Sequence, residues 1–248
     1  MSQSKTAIVT GAGRGIGFTF AQALGAQGYS VTLADLDGAE EAASRLEMSG
    51  ISCHGLKADV SSENDVRMVA DTCIDRFGGI DVLVNNAGLF TTLRPFEEIS
   101  GDEWMKVMRV NTLGPFLCAK AVVASMRQKG GGRIVNIAST VALKGVPGWL
   151  HYVASKGAVI GFTRALAREV GQSGITVNAI APGFTLSDGI LKSRLHEVIG
   201  EGARRGGRSL QRDHVPDDLI GTLLYLVGEG ASFVTGQTIV VDGGSIFV

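Results

Sequence analysis

Short runs of Val, Ile, Leu and Ala alternate along the chain with longer segments whose apolar positions recur at helical spacing. The apolar runs predict strands at Thr6–Thr10, Ser30–Ala34, Ser52–Ala58, Asp81–Asn85, Arg133–Ala138, Thr176–Ala181 and Thr238–Val241. Several are continuous rather than alternating, the pattern of a strand covered on both faces. The periodic segments predict helices over Gly15–Gln27, Ala39–Met48, Glu63–Phe77, Asp102–Gln128, Tyr152–Val170 and Pro216–Val227. Ser62 and Ser100 stand as helix-start residues, and Asp37 reads as another. Strand–helix–strand repetition implies an α/β fold: a doubly wound parallel sheet with helices on both faces. No Pro-rich or Ser-rich linker divides it, so residues 1–248 read as one domain. Only Phe184–Arg212, rich in Gly and Arg, breaks the alternation; following a late strand, it is the candidate for a mobile lid.

Composition narrows the function without choosing it. With 45% hydrophobic and 19% charged residues the chain can bury a full core. A net charge of -1 supplies no long-range attraction for nucleic acid or an anionic membrane. Cys53, Cys73 and Cys118 are odd in number and widely spaced, which suits buried free thiols in a reducing compartment rather than disulfides or a zinc site. His54 and His151 have no metal-ligand company, so no metal is expected. No apolar run reaches transmembrane length, and Met1–Lys5 leads straight into the first strand without room for a signal segment. A soluble, cytoplasmic protein is expected.

The first candidate chemistry follows the first strand. Thr10-Gly11-x-x-x-Gly15-x-Gly17 departs from G-x-G-x-x-G, since Ile16 occupies the third glycine position. Its glycines still permit a tight turn in which backbone N–H groups and a helix N-terminus face a pyrophosphate. Asp35 ends the second strand, eighteen residues after Gly17. A carboxylate there accepts hydrogen bonds from ribose hydroxyls and repels a 2′-phosphate, and the next residue, Leu36, offers that phosphate no charge. NAD(H) is therefore favoured over NADP(H). Arg14 is the complication, because a basic residue in the loop can reach a 2′-phosphate. The second candidate is Tyr152 with Lys156: four residues apart, they share one face of a helix, where an ammonium can pull the phenol's pKa from about 10 towards neutrality. Ser139 lies thirteen residues upstream.

Together Thr10–Gly17, Asp59-Val60, Asn85–Gly88, Asn111, Ser139, Tyr152 with Lys156, Pro182-Gly183 and the closing Gly236–Thr238 and Val241–Gly244 resemble the short-chain dehydrogenase/reductase family over essentially the whole chain. The resemblance implies a Rossmann-like sheet of about seven strands and commonly a homotetramer packed through the two long helices. It implies Tyr152 as acid/base, Ser139 as partner of the carbonyl oxygen, Lys156 as grip on the nicotinamide ribose and Asn111 as anchor of a proton relay. It further places Asp59 and Val60 about the adenine, Asn86, Ala87 and Gly88 along the adenosine side, and Val110 beneath the cofactor. Pro182, Gly183, Thr185 and Ser187 approach the nicotinamide end, Ser187 standing where a threonine is common. Phe90, Thr140, Val141, Trp149 and Phe184 would wall a mostly apolar pocket for a small alcohol or ketone. Similarity extends to NAD-linked secondary-alcohol dehydrogenases and to NADPH-dependent 3-oxoacyl-carrier-protein reductases; Asp35 and Gln172-Ser173-Gly174 speak against the latter, Arg127 and Lys129 for it. A non-catalytic dinucleotide sensor on the same fold would normally tolerate loss of Tyr152, Ser139 or Lys156, and all three are present.

Overall fold

The computed structural model describes residues 4–248; residues 1–3, used above in reading the N-terminus, lie outside them. Every predicted strand forms: β1 (Thr6–Thr10), β2 (Ser30–Asp35), β3 (Cys53–Lys57), β4 (Val82–Asn85), β5 (Gly132–Ile137), β6 (Ile175–Pro182) and β7 (Thr238–Val241). They make one parallel sheet in the order β3-β2-β1-β4-β5-β6-β7. The order reverses between β1 and β4, so a crevice opens at their carboxyl ends, where sheets of this kind take ligands.

Helices α1 (Gly15–Ala26), α2 (Ala39–Glu47), α3 (Glu63–Phe77), α4 (Gly101–Met108), α5 (Gly114–Gln128), α7 (Leu150–Val170) and α11 (Ile220–Val227) cover the sheet. The two-residue period of β1 distributes its side chains: Ala7 and Val9 pack in one layer with Phe20 and Leu24 of α1 and Leu223 of α11. Ile8 packs in the other with Val66 of α3, Leu117 and Met126 of α5 and Val170 of α7. All three cysteines are free and buried within these layers, and burial pushes the Cys53 and Cys118 thiols up to about 11 and about 12. Ser62 caps α3 by accepting from the Asp65 N–H, and Ser100 caps α4 by accepting from Glu103, each cap contributing about 1 kcal/mol. Asp37 is not the start of α2: Gly38, with φ +79°, holds the capping position and Asp37 precedes it.

Two segments differ from the sequence pattern. The helix expected over Asp102–Gln128 is broken by a π segment at Arg109–Leu113, because Pro115, near the start of α5, cannot donate to the preceding turn. Gly101–Gln128 is long and apolar enough to cross a membrane by length and composition, yet its apolar face lies in the core against α3. The segment from Phe184 to Arg212 is not irregular. It contains α8 (Asp188–Lys192), α9 (Leu195–Ile199) and α10 (Glu201–Arg205), each five residues and too short to show a period. A further short helix, α6 (Val141–Lys144), follows β5.

Candidate active site

The turn leaving β1 folds onto itself so closely that a side chain on Gly17 would collide with the Gly11 carbonyl. Gly11, with φ +62°, lies so near the strand beside it that a Cβ would stand 2.8 Å from Ala87 Cα. The Thr10 hydroxyl accepts from the N–H groups of Asn86 (3.1 Å) and Ala87 (3.0 Å), and the Asn86 amide donates to the Thr10 and Gly11 carbonyls, both at 3.0 Å. The ends of β1 and β4 are thus stitched together, and the Asn86 side chain is committed to bracing the loop. Ala87 and Gly88 keep exposed surface, as Arg14 and Ile16 do on the loop itself.

Asp35 sits at the tip of β2 and faces this loop. Its Oδ2 accepts from Gly13 N–H at 2.9 Å and its Oδ1 from Asp37 N–H at 3.3 Å. A carboxylate has about four lone-pair sites, so capacity for hydroxyl donors remains. Arg14 lies 3.7 Å from the Asp37 carboxylate, both of them largely in solvent. On the neighbouring edge, Asp59 accepts from the N–H and hydroxyl of Ser61, each at 2.8 Å, and Val60 is buried against Gly114. A backbone cradle that excludes any Cβ, opening on the first turn of α1, fits the pyrophosphate of a dinucleotide, and Asp35 fits its ribose.

Beyond the other side of β4, four side chains from three segments converge. Tyr152 and Lys156 stand one turn apart on α7, with Lys156 Nζ 5.7 Å from the phenol ring centre. Lys156 is 5% exposed and donates to the Ile137 carbonyl at 2.7 Å. Asn111 lies within the π segment, 1% exposed; it donates to Leu89 O and Ser155 Oγ, both at 2.9 Å, and accepts from Leu89 N–H at 2.7 Å. A Cβ on Gly88 would stand 3.5 Å from Lys156 Nζ and 3.6 Å from Asn111 Oδ1, so lysine and asparagine meet above that glycine. Ser139, two residues past β5, accepts from Val141 N–H through its Oγ at 3.3 Å, and its hydroxyl lowers the pKa of the Tyr152 phenol. Val110 flanks the group from the π segment.

Burial dominates the ionisation of this group. It pushes Tyr152 up to about 12, against a lowering by the Ser139 hydroxyl, and Lys156 down to about 8. The phenol thus stands above its ordinary value, burial raising it by more than the Ser139 hydroxyl lowers it.

The expected pocket wall divides in two. Phe90, Val141 and Phe184 keep accessible surface, whereas Thr140 and Trp149 are buried and bonded to backbone. The Thr140 N–H donates to Pro182 O at 3.0 Å; the Trp149 indole donates to Thr91 O at 2.8 Å and meets Tyr152 edge-on, ring centres 6.2 Å apart. Gly183 is pinned to β7 through Val241 O (2.9 Å), and Thr185 Oγ1 bonds both Gly183 O (3.0 Å) and His214 Nδ1 (2.8 Å).

Three residues that the sequence pattern did not single out complete the surroundings. His214 and Arg208 are buried; Arg208 donates to the Phe184 carbonyl at 2.8 Å. Asp188 places a carboxylate oxygen 3.0 Å from Gly15 N. Six basic residues from Lys192 to Arg212 gave no means of separating Arg208 from the rest, and most of the others are paired locally. Arg194 meets Glu197, Arg204 and Arg205 meet Asp213, and Arg212 meets Asp218. His151 bonds Thr91 Oγ1 at 2.8 Å and lies 3.4 Å from Glu103, and among the described residues no three His, Cys, Asp or Glu side chains gather as a metal site.

The sequence profile of the family described as short chain dehydrogenase matches residues 5–197. The chain is 36% identical over 250 residues to the 3-oxoacyl-[acyl-carrier-protein] reductase FabG of Staphylococcus epidermidis, covering 97% of this chain and 98% of the other. It is 38% identical over 252 residues to the short-chain reductase protein NovJ of Streptomyces niveus, covering 98% and 95%. Among solved structures it resembles a proposed NAD(P)-dependent gluconate 5-dehydrogenase of Beutenbergia cavernae with NADP bound at low occupancy, with a TM-score of 0.90 at 34% identity, covering 97% and 96%. It also resembles levodione reductase, with a TM-score of 0.89 at 30% identity and the same coverage.

Proposed function

Since the chain belongs to the short-chain dehydrogenase/reductase family, whose members are NAD(P)-dependent oxidoreductases of carbonyl and hydroxyl groups, we propose that it interconverts a small secondary alcohol and its ketone with NAD(H). The convergence of Tyr152, Ser139, Lys156 and Asn111 beside a dinucleotide cradle carries the reading. The dinucleotide, when bound, supplies or accepts the hydride. Tyr152 Oη gives the proton to the developing alkoxide in reduction and takes it back in oxidation, and the Ser139 hydroxyl donates to the same oxygen. Lys156 holds the nicotinamide ribose and stabilises the phenolate, while Asn111 fixes Leu89 and Ser155 around it and anchors the proton's route outward. Pro182, Gly183, Thr185 and Ser187 take the nicotinamide end, and Asp59, Val60, Ala87, Gly88 and Val110 the adenosine side and floor.

The preference for NAD(H) rests on Asp35, with Asp37 close by and Arg14 turned towards that second carboxylate. Fluorescence titration should show NADH binding more tightly than NADPH. Asp35→Ser should weaken NADH by about tenfold, the loss of a charge-assisted hydrogen-bond acceptor, and narrow the preference. A wild-type preference for NADPH would move the assignment to the second reading, an NADPH-dependent 3-oxoacyl-carrier-protein reductase, which the names of several relatives favour. Against it, Lys129, one of the two basic residues that would meet an acidic carrier, is paired with Asp81 at 2.7 Å. Phe90, Val141 and Phe184 offer a substrate no charge, and the paired arginines of the lid keep little for an anion.

The proposal includes a homotetramer in the cytoplasm. Met105 and Phe116, exposed on α4 and α5, give a second copy apolar surface, and three buried thiols suit a reducing compartment.

A further inference from the structure

The lid is fastened to the glycine loop by a contact that the proposed chemistry leaves unused. Gly15 is the first residue of α1, so its N–H is among those a helix leaves without an internal acceptor. Its acceptor here is the Asp188 carboxylate, at 3.0 Å across 173 residues of sequence. Ser187 lies on the same glycine: a Cβ there would stand 3.5 Å from Ser187 Cβ. An anion on the first N–H of a helix sits at the positive end of the helix dipole, the position a pyrophosphate takes.

Asp188 is also the first residue of α8, from which the lid continues through α9 and α10. Just before it the chain is held firmly. Thr185 is bonded to His214, Leu186 N–H donates to His214 O at 2.8 Å, and Arg208 holds Phe184 O. The segment thus has a fixed base at Gly183–Leu186 and an exposed ionic tip resting on the loop.

We propose that Asp188 is a latch. Its carboxylate holds the start of the lid on the anion position of the glycine loop, and a dinucleotide must displace it, so cofactor binding frees the lid for the substrate. This rests on the dinucleotide reading of the site. Two anions compete for one N–H, and the latch lowers apparent cofactor affinity by the fraction of molecules that hold it closed. Asn at the same position keeps size and one acceptor but loses the charge.

The test compares full-length wild type with Asp188→Asn in NADH titration and in limited trypsin cleavage at Lys192 and Arg194, both exposed. The variant should bind NADH about three- to tenfold more tightly, as expected for loss of one exposed charge-assisted competitor. Without NADH its lid should be cut faster than that of wild type, and adding NADH should accelerate cleavage of wild type more than of the variant. An affinity unchanged or weakened in the folded variant, or equal cleavage of the two proteins without NADH, overturns the latch while leaving the site reading intact. Failure of wild type to bind either NADH or NADPH overturns the site reading and the latch with it.

Discussion

Tyr152→Phe is expected to lower turnover by about 10³-fold, within the range for loss of a general acid or base, while NADH affinity stays within about twofold. The substitution removes one oxygen and leaves the ring, which packs edge-on against Trp149, in place. Direction and pH separate the role further. Burial holds the phenol up at about 12, so at neutral pH it carries its proton, the form that ketone reduction requires. Alcohol oxidation requires the phenolate, so its rate should rise with pH where reduction is flat. Steady-state rates in both directions from pH 6 to 10, with stopped-flow measurement of NADH binding, check both statements. Turnover within a few-fold of wild type in the variant would remove Tyr152 from the chemistry.

The sheet was legible because β1 and β6 are buried along their whole length and are mostly apolar, with only threonines and Asn178 among the aliphatic residues. Tyr152 and Lys156 were legible as a pair because four residues on a helix is a spatial statement as well as a spacing. Ser139 and Asn111 were not legible in that way. They reach α7 from beyond β5 and from a π segment whose origin in Pro115 leaves no periodic trace, so Ser139 showed only as a residue upstream of the pair and family resemblance alone brought in Asn111. The Asp188–Gly15 contact joins the first helix to a five-residue one late in the chain, and no local pattern foreshadows it. The phenol's ionisation was legible only in part: the ammonium beside it was visible in the sequence, but the desolvation that raises the phenol belongs to the packed protein.

Lys156→Met should separate stability from activity most sharply. An ammonium that is 5% exposed, with a carbonyl as its partner, has been taken out of water without a counter-charge among its contacts. Its pKa falls from 10.5 to about 8, equivalent to roughly 3 kcal/mol against the folded state at neutral pH. The sign follows from proton counts: between pH 8 and 10.5 the unfolded chain binds more protons than the folded one, so stability should rise across that window. Below it both states are protonated and the whole cost persists. Methionine fills similar space without charge but leaves the Ile137 carbonyl without its lysine donor, which returns about 1–2 kcal/mol of the cost. The variant should therefore be about 1–2 kcal/mol more stable at pH 7, with Tm higher by about 4 °C, and should lose the rise between pH 8 and 10.5. Turnover should fall about 10²- to 10³-fold, the scale on which preorganised charge acts in a site closed to water. Thermal melts at pH 7 and pH 10 decide the matter. A variant less stable than wild type at pH 7 would mean that the bond to Ile137 outweighs the burial of the charge. A stabilised but inactive variant would mean that the folded protein carries this cation for its chemistry and against its own stability.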